Sequence, residues 1–145
     1  MTVRDESWPS ARTPGALIGC AGWSIPRANQ AEFPDVGSHL ERYAKQFAAT
    51  EINSSFHRVH RASTYLRWRE SVPRSFRFSA KFPKTITHAQ RLLGAEELVK
   101  SFLAEVSPLE EKLGYLLVQL PPSLSFDAGV IDGFFGYLFA LVALL

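Results

Sequence analysis

Cysteine is nearly absent: the 145-residue chain has one, Cys20, so no internal disulfide can form. That excludes a small disulfide-stapled secreted scaffold and suits a reducing, cytoplasmic setting. Cys20 lies in the apolar run LIGCAGW, which predicts a buried and inert thiol. Long apolar runs are scarce as well. The longest, FFGYLFALVALL at 134–145, has twelve residues where a bilayer span takes about 20, so no membrane-spanning segment is expected. The opening stretch MTVRDESWPSARTPGA, residues 1–16, has no apolar centre and reads as a loose polar arm rather than a signal peptide. The sequence has no GxGxxG, Walker A or GxSxG, so nothing points to a nucleotide cofactor or a serine hydrolase. It has no HExxH, CxxC or aspartate cluster either, and neither a metal nor any other cofactor is assigned.

Acidic residues are missing from one region in particular. Between Arg58 and Arg91 stand nine Lys or Arg and a single acid, Glu70, a local charge of +8 against −6 for the remainder. His57, His60 and His88 sit in or beside this block. Such a segment attracts phosphates, carboxylates or nucleic acid. For Arg67, Arg69 and Arg74 the simpler reading, a solvated helix face, is preferred. Phe56, Tyr65, Trp68, Phe76 and Phe78 interleave the basic run, as a single-stranded nucleic-acid surface would require, so that binding module is the alternative function. It ranks second because Phe76 and Phe78 fall on one side of a predicted strand, and Tyr65 and Trp68 look like helix core.

What is present is a globular composition, 46% hydrophobic and 21% charged, enough for one domain with a sizeable core. Strands are predicted at 17–23, 49–53, 76–82 and 115–120, the last closed by Pro121-Pro122. Between them lie helices at 38–47, with Ser38 and Glu41 as a capping box, and at 63–72, with Ser63 or Thr64 as cap and Pro73 as stop. Another runs over 95–106 with a restart at Ser107-Pro108, and a fourth begins at Asp127. Four βα units at this spacing imply an α/β fold with parallel strands. A complete (β/α) barrel takes eight units and about 250 residues, so four make half of one; an open doubly wound sheet is the other option.

The strand faces favour the barrel. With a period of two, Glu51 and Asn53 share a face opposite Ile52. Phe76, Phe78, Ala80 and Phe82 oppose Arg77, Ser79 and Lys81, and Leu116, Val118 and Leu120 oppose Tyr115, Leu117 and Gln119. An open sheet covered by helices on both sides would want both faces apolar. One apolar face, and a second that turns polar toward the strand C-termini, is the pattern of a barrel interior with a site at its mouth.

Cys20-Ala21-Gly22-Trp23-Ser24, Glu51-Ile52-Asn53-Ser54-Ser55-Phe56, Phe76-Arg77-Phe78 with Lys81, Ile86-Thr87-His88, and Leu113-Gly114 through Gln119-Leu120-Pro121-Pro122-Ser123 together resemble the YecE-like family, a domain of unknown function with a TIM-barrel fold. The resemblance runs from about residue 17 to about 135. It implies a partial TIM barrel over 17–145, the N-terminal half of the family domain, with a site open at the strand C-termini and no established reaction. Ile25 and His57 stand where many members carry tyrosine, and members continue through four further βα units. The apolar stretch 134–145, with no polar face, is expected to be a truncated or frame-shifted end or a sticky patch rather than a good surface helix.

The candidate site follows from the strand ends. Glu51 and Lys81 are expected on one interior face, as proton acceptor and anchor for an anionic substrate, or else as a buried ion pair. His88 is the second candidate proton carrier. Asn53 and Gln119 can orient substrate hydroxyls or carbonyls, or pair with each other. Ser54 and Arg58, at the same strand end, complete the polar set; Arg58, Lys81 and Lys84 could take a phosphate-type ligand, although the usual barrel phosphate site uses loops after strands seven and eight, which are absent here. Trp23 is either a stacking wall or a cap on the core. His57 and His60 have metal-compatible spacing only if their loop is helical. The chain alone is expected to be an incomplete barrel and an inactive fragment, whose unpaired outer strand edges predict self-association, with edge-to-edge pairing of two copies as the one way to rebuild eight strands.

Overall fold

The computed structural model describes residues 15–144. The arm expected over 1–16 lies outside them except for Gly15 and Ala16, which are exposed. Four parallel strands form one sheet in the order β1 (Gly19–Ala21), β2 (Ala49–Ile52), β3 (Arg77–Lys81) and β4 (Leu113–Leu117). They alternate with helices α1 (His39–Tyr43), α2 (Ala62–Glu70), α3 (Glu96–Val106) and α4 (Ala128–Val142). This is the α/β, parallel-stranded half barrel expected.

Period-two alternation sorts the residues of the sheet. Ile52, Phe78, Ala80 and Phe82 are fully buried under the helices, while Glu51, Arg77, Ser79 and Lys81 stay partly open on the opposite face. Each large apolar side chain buried in this way contributes roughly 1.5–3 kcal/mol. The helices supply the other half of the core through Leu40 and Tyr43, Tyr65, and Val99, Phe102, Leu103 and Val106. The last four are spaced along one face of α3, as helical periodicity requires.

Helix ends follow local chemistry in part. The Ser38–Glu41 capping box forms, with Ser38 Oγ accepting from the Glu41 amide and the Glu41 carboxylate accepting from the Ser38 amide. α2 starts earlier than expected: Arg61, not Ser63 or Thr64, is the cap, and no side chain bonds the free amides. Just upstream, His60 is buried against Tyr65 and Trp68. At the other end of α2 the buried Lys112 ammonium donates to the Arg69 and Val72 carbonyls, at 2.6 and 2.7 Å, and burial depresses its pKa.

Three further expectations are corrected. β4 occupies 113–117 rather than 115–120: its ladder starts with Leu113 opposite Phe78, is irregular between Phe78 and Ser79, and ends with Leu117 opposite Lys81, the last residue of β3, so Gln119 lies beyond it. Cys20 is exposed, not buried. It sits on the edge strand, where its amide donates to the Tyr43 hydroxyl and its carbonyl accepts from Thr50. The stretch 134–145 is not a failed helix. Through Val142 it forms the body of α4, capped by Asp127, whose carboxylate accepts from the Val130 amide. Phe134 and Leu138 are buried, and Phe134 lies 5.9 Å from Phe82 ring to ring. The far side still exposes Phe139 and Leu144, so an apolar patch does remain. No helix among the described residues is long and apolar enough to cross a membrane.

Candidate functional site

Two glycines set the first strand. A Cβ on Gly19 would lie 1.9 Å from the Ala49 carbonyl oxygen, so only glycine lets β1 approach β2 this closely. Gly22 has φ +90°, which ends the strand's alternation and turns the next residue away from the open face. Trp23 therefore packs 5.0 Å from Trp68 and 6.5 Å from the buried Phe78, ring to ring. The ring is half-buried and packs against the core from the end of β1.

At the C-terminal ends of β2 and β3 a polar cluster assembles around Lys81. Its ammonium donates to Asn53 Oδ1 at 3.1 Å and stands 4.6 Å above the centre of the Phe56 ring. His57 and His88 pack edge-to-face with the same ring, at 4.9 and 5.0 Å. The junction is held by Ser55, a buried hydroxyl within 2.8 Å of the Ile52 carbonyl and 2.6 Å of the Lys81 carbonyl. One proton shared between acceptors on two strands ties their ends together.

The Glu51–Lys81 ion pair does not form. Register explains this: Glu51 lies opposite Ser79, so Lys81 is two residues nearer the mouth and turns to Asn53 and Phe56 instead. Among the described residues Lys81 has no carboxylate partner, and the Glu51 side chain has no hydrogen bond or ion pair. Glu51 instead lines a cleft of about 260 Å³ on the open face, together with Ala21, Ala49, Arg77, Ser79 and Tyr115.

His88 sits in a single π-helical turn, Thr85–Ala89, a rare form that often marks functional positions. Its Nδ1 is 2.9 Å from Thr87 Oγ1, which in turn lies 3.4 Å from the Pro83 carbonyl. This contact fixes the ring's orientation, with Nδ1 on the Thr87 hydroxyl. Two residues past this turn Arg91 and Leu92 both have positive φ, 51° and 70°. Bulky residues held in that region store strain.

The remaining expected site residues go elsewhere. Ser54 points to His60, with Oγ and Nε2 2.8 Å apart, and His60 packs 5.1 Å from Trp68 and 5.7 Å from Tyr65, ring to ring. Burial, and then the nearby Arg58 charge, hold the His60 pKa below its usual value. Burial raises the Glu105 pKa, opposed by a hydrogen bond from the His60 backbone. Arg58 and Gln119 are exposed, and neither side chain has a hydrogen bond among the described residues. Asn53 and Gln119 do not pair, since Asn53 already accepts from Lys81. His57 and His60 face different surroundings, and the described residues contain no group of three or more His, Cys, Asp or Glu able to hold a metal. Tyr65, Phe76 and Phe78, three of the five rings that a stacking surface would need, are buried.

Phe56 is the site residue that sequence reasoning missed. Its place three residues after Asn53, in the short turn that follows β2, is the signal in the sequence.

Comparison with known proteins bears on the fold. The family model described as "Protein of unknown function DUF72" matches residues 17–142. The UPF0759 protein YecE of Escherichia coli K12 is 36% identical over 104 residues, covering 72% of this chain and 37% of that protein; the O157:H7 protein gives the same values. The chain thus spans little more than a third of these relatives. A DUF72 family protein of Enterococcus faecalis is similar in structure, with TM-score 0.66 and 21% identity over 86% of this chain and 45% of that one. One from Thermotoga maritima gives TM-score 0.63 and 21% identity over 84% and 50%. These neighbours have a TIM-barrel-like fold.

Proposed function

Because the chain belongs to the DUF72 family, whose solved members are TIM-barrel-like, we propose that its open face carries one side of a barrel-mouth site for a small anionic or polar substrate. One observation carries the reading: the Lys81 ammonium, at the C-terminal end of β3, is aimed by Asn53 and Phe56 and has no carboxylate to neutralise it among the described residues. A partly desolvated cation in that position favours an anionic group on a ligand. Lys81 is the electrostatic anchor, Asn53 aims it, and the Phe56 ring forms a wall.

Glu51, which lines the open-face cleft two residues before the level of Lys81 and is unpaired among the described residues, is the proposed base. His88, oriented by the Thr87 hydroxyl and packed on the Phe56 ring, is the second proton carrier. Ser54 and Trp23 support the site from the helix side rather than touching the ligand. Arg58 and Gln119 stand at its exposed rim. An exposed, unpaired Cys20 suits a reducing compartment, so a cytoplasmic location goes with this reading.

The test is a binding screen of this chain and of a full-length relative against inorganic phosphate and phosphorylated and carboxylated metabolites. Loss of a charge-assisted contact worth about 1.5–3 kcal/mol should weaken a hit roughly 10- to 100-fold in Lys81→Met. Glu51→Gln should spare binding and remove any turnover. If neither substitution alters binding or turnover of any ligand, the site is misassigned.

A further inference from the structure

A second concave surface lies in the seam between the start of α3 and α4. It is a groove of about 160 Å³ that shares no lining residue with the open-face cleft. Leu92 and Val99 form one wall, and Val130, Phe134 and Tyr137 the other. Leu92, Val99 and Phe134 are buried, so the lining is largely apolar. Gly129 and Gly133 line it too. Glycine within a helix costs stability relative to alanine. Close packing is not the reason for either: a Cβ on Gly133 would meet no atom within 4 Å, and one on Gly129 only Asp127 Oδ1, at 3.4 Å. These two positions, four residues apart on α4, therefore leave space rather than let another element approach. An apolar cavity of about 150 Å³ takes one benzene ring, so this groove has room for a single ring.

Charge decides what kind of ring. Glu96 lines the groove, and Asp127 borders it beside Gly129, while no Lys, Arg or His lines it. Glu97, the next residue along α3, is held by Lys100 at 2.8 Å, whereas Glu96 has no ion pair among the described residues. The starts of α3 and α4 contribute about half a positive charge each, less than the full negative charges of Glu96 and Asp127. Tyr137, whose hydroxyl donates to the Glu96 carbonyl at 3.4 Å, adds an aromatic face that attracts cations. We propose that this groove binds a small ring-bearing amine as its ammonium, with the ring against Leu92, Val99, Val130 and Phe134 and the charge directed at Glu96 and Asp127. The site prefers the opposite charge from the barrel mouth, and it does not depend on the substrate reading there.

Benzylammonium, benzyl alcohol and benzoate are probes of similar shape and different charge. Titrated into the purified chain at low salt and followed by amide NMR, benzylammonium should shift the Gly129 and Gly133 amides saturably. It should bind roughly 2- to 10-fold more tightly than benzyl alcohol, the range expected of one or two solvent-exposed charge pairs, and benzoate should bind most weakly. Glu96→Gln should bring benzylammonium toward the benzyl alcohol value and leave benzyl alcohol itself unchanged. Gly133→Leu fills the groove and should abolish binding of all three. Lys81→Met should alter none of the three affinities, which separates this site from the barrel mouth. The absence of saturable shifts at Gly129 and Gly133, benzoate binding as tightly as benzylammonium, an undiminished preference for the cation in Glu96→Gln, or a folded Gly133→Leu variant that still binds would each overturn the proposal.

Discussion

Two tyrosines in the core make opposite use of the same hydroxyl, and replacing each with phenylalanine should move stability in opposite directions. Tyr65 is fully buried, and its hydroxyl has no hydrogen-bond partner among the described residues. Burial, then the Glu105 charge, push its pKa well up. A buried polar group without a partner costs about 1–3 kcal/mol, and Tyr65→Phe removes it while keeping the ring against His60 and Trp68. The Tyr43 hydroxyl, by contrast, donates to the Ala49 carbonyl at 2.9 Å and accepts from the Cys20 amide at 2.7 Å, fastening β1 to β2. Burial pushes its pKa up to about 12. Tyr43→Phe strands both partners and should cost about 1–3 kcal/mol. For a chain of 145 residues the unfolding entropy is about 0.3 kcal/mol/K, taking ~2.1 cal/mol/K per residue. Tm should therefore rise by about 3–10 °C in Tyr65→Phe and fall by a similar amount in Tyr43→Phe. Urea titration should show the same order in midpoint with unchanged slope. A Tyr65→Phe variant that melts below the wild type would refute the reasoning, because it would mean the hydroxyl has a partner worth more than its desolvation.

Two more outcomes are expected. His60 has a folded pKa held below its unfolded value of about 6.5, so the unfolded chain takes up the proton first as pH falls, and stability is lost from about pH 6.5 down to the folded pKa. Glu105, with a raised pKa, acts in the opposite sense above its unfolded value of about 4.5, so the His60 effect is read as the difference in pH slope between wild type and His60→Gln; parallel curves would contradict it. Gly19→Ala places a methyl into the Ala49 backbone, which should cost about 1–3 kcal/mol and speed hydrogen exchange at the Gly22 amide, now bonded to the Glu51 carbonyl at 2.9 Å. Unchanged exchange there would show that β1 accommodates the methyl without leaving β2.

Much of the fold was legible because its signals are local. Alternation along 76–82 separated Phe78 and Ala80 from Ser79 and Lys81, since the strand period is a property of the backbone. The Ser38–Glu41 box was readable for the same reason: both partners lie within one helical turn. The candidate site was legible as a place, the C-terminal ends of β2 and β3, and as a set including Asn53, Lys81 and His88. Which side chain meets which was decided by tertiary structure. Inter-strand register sets Glu51 beside Ser79 and leaves Lys81 to Asn53 and Phe56, and register is a relation between strands 28 residues apart. Ser54 and Ser55 are the same residue type in adjacent positions, yet the short 3-10 turn Ser54–Phe56 sends one to His60 and the other to two strand carbonyls. The apolar 134–142 stretch reads alike on every side, and only the placement of α4 against the core distinguishes buried Phe134 and Leu138 from exposed Phe139. Sequence determines which faces are apolar because side-chain direction repeats with the local backbone; pairing across the sheet and packing between helices decide the contacts, because they join residues that the chain itself keeps far apart.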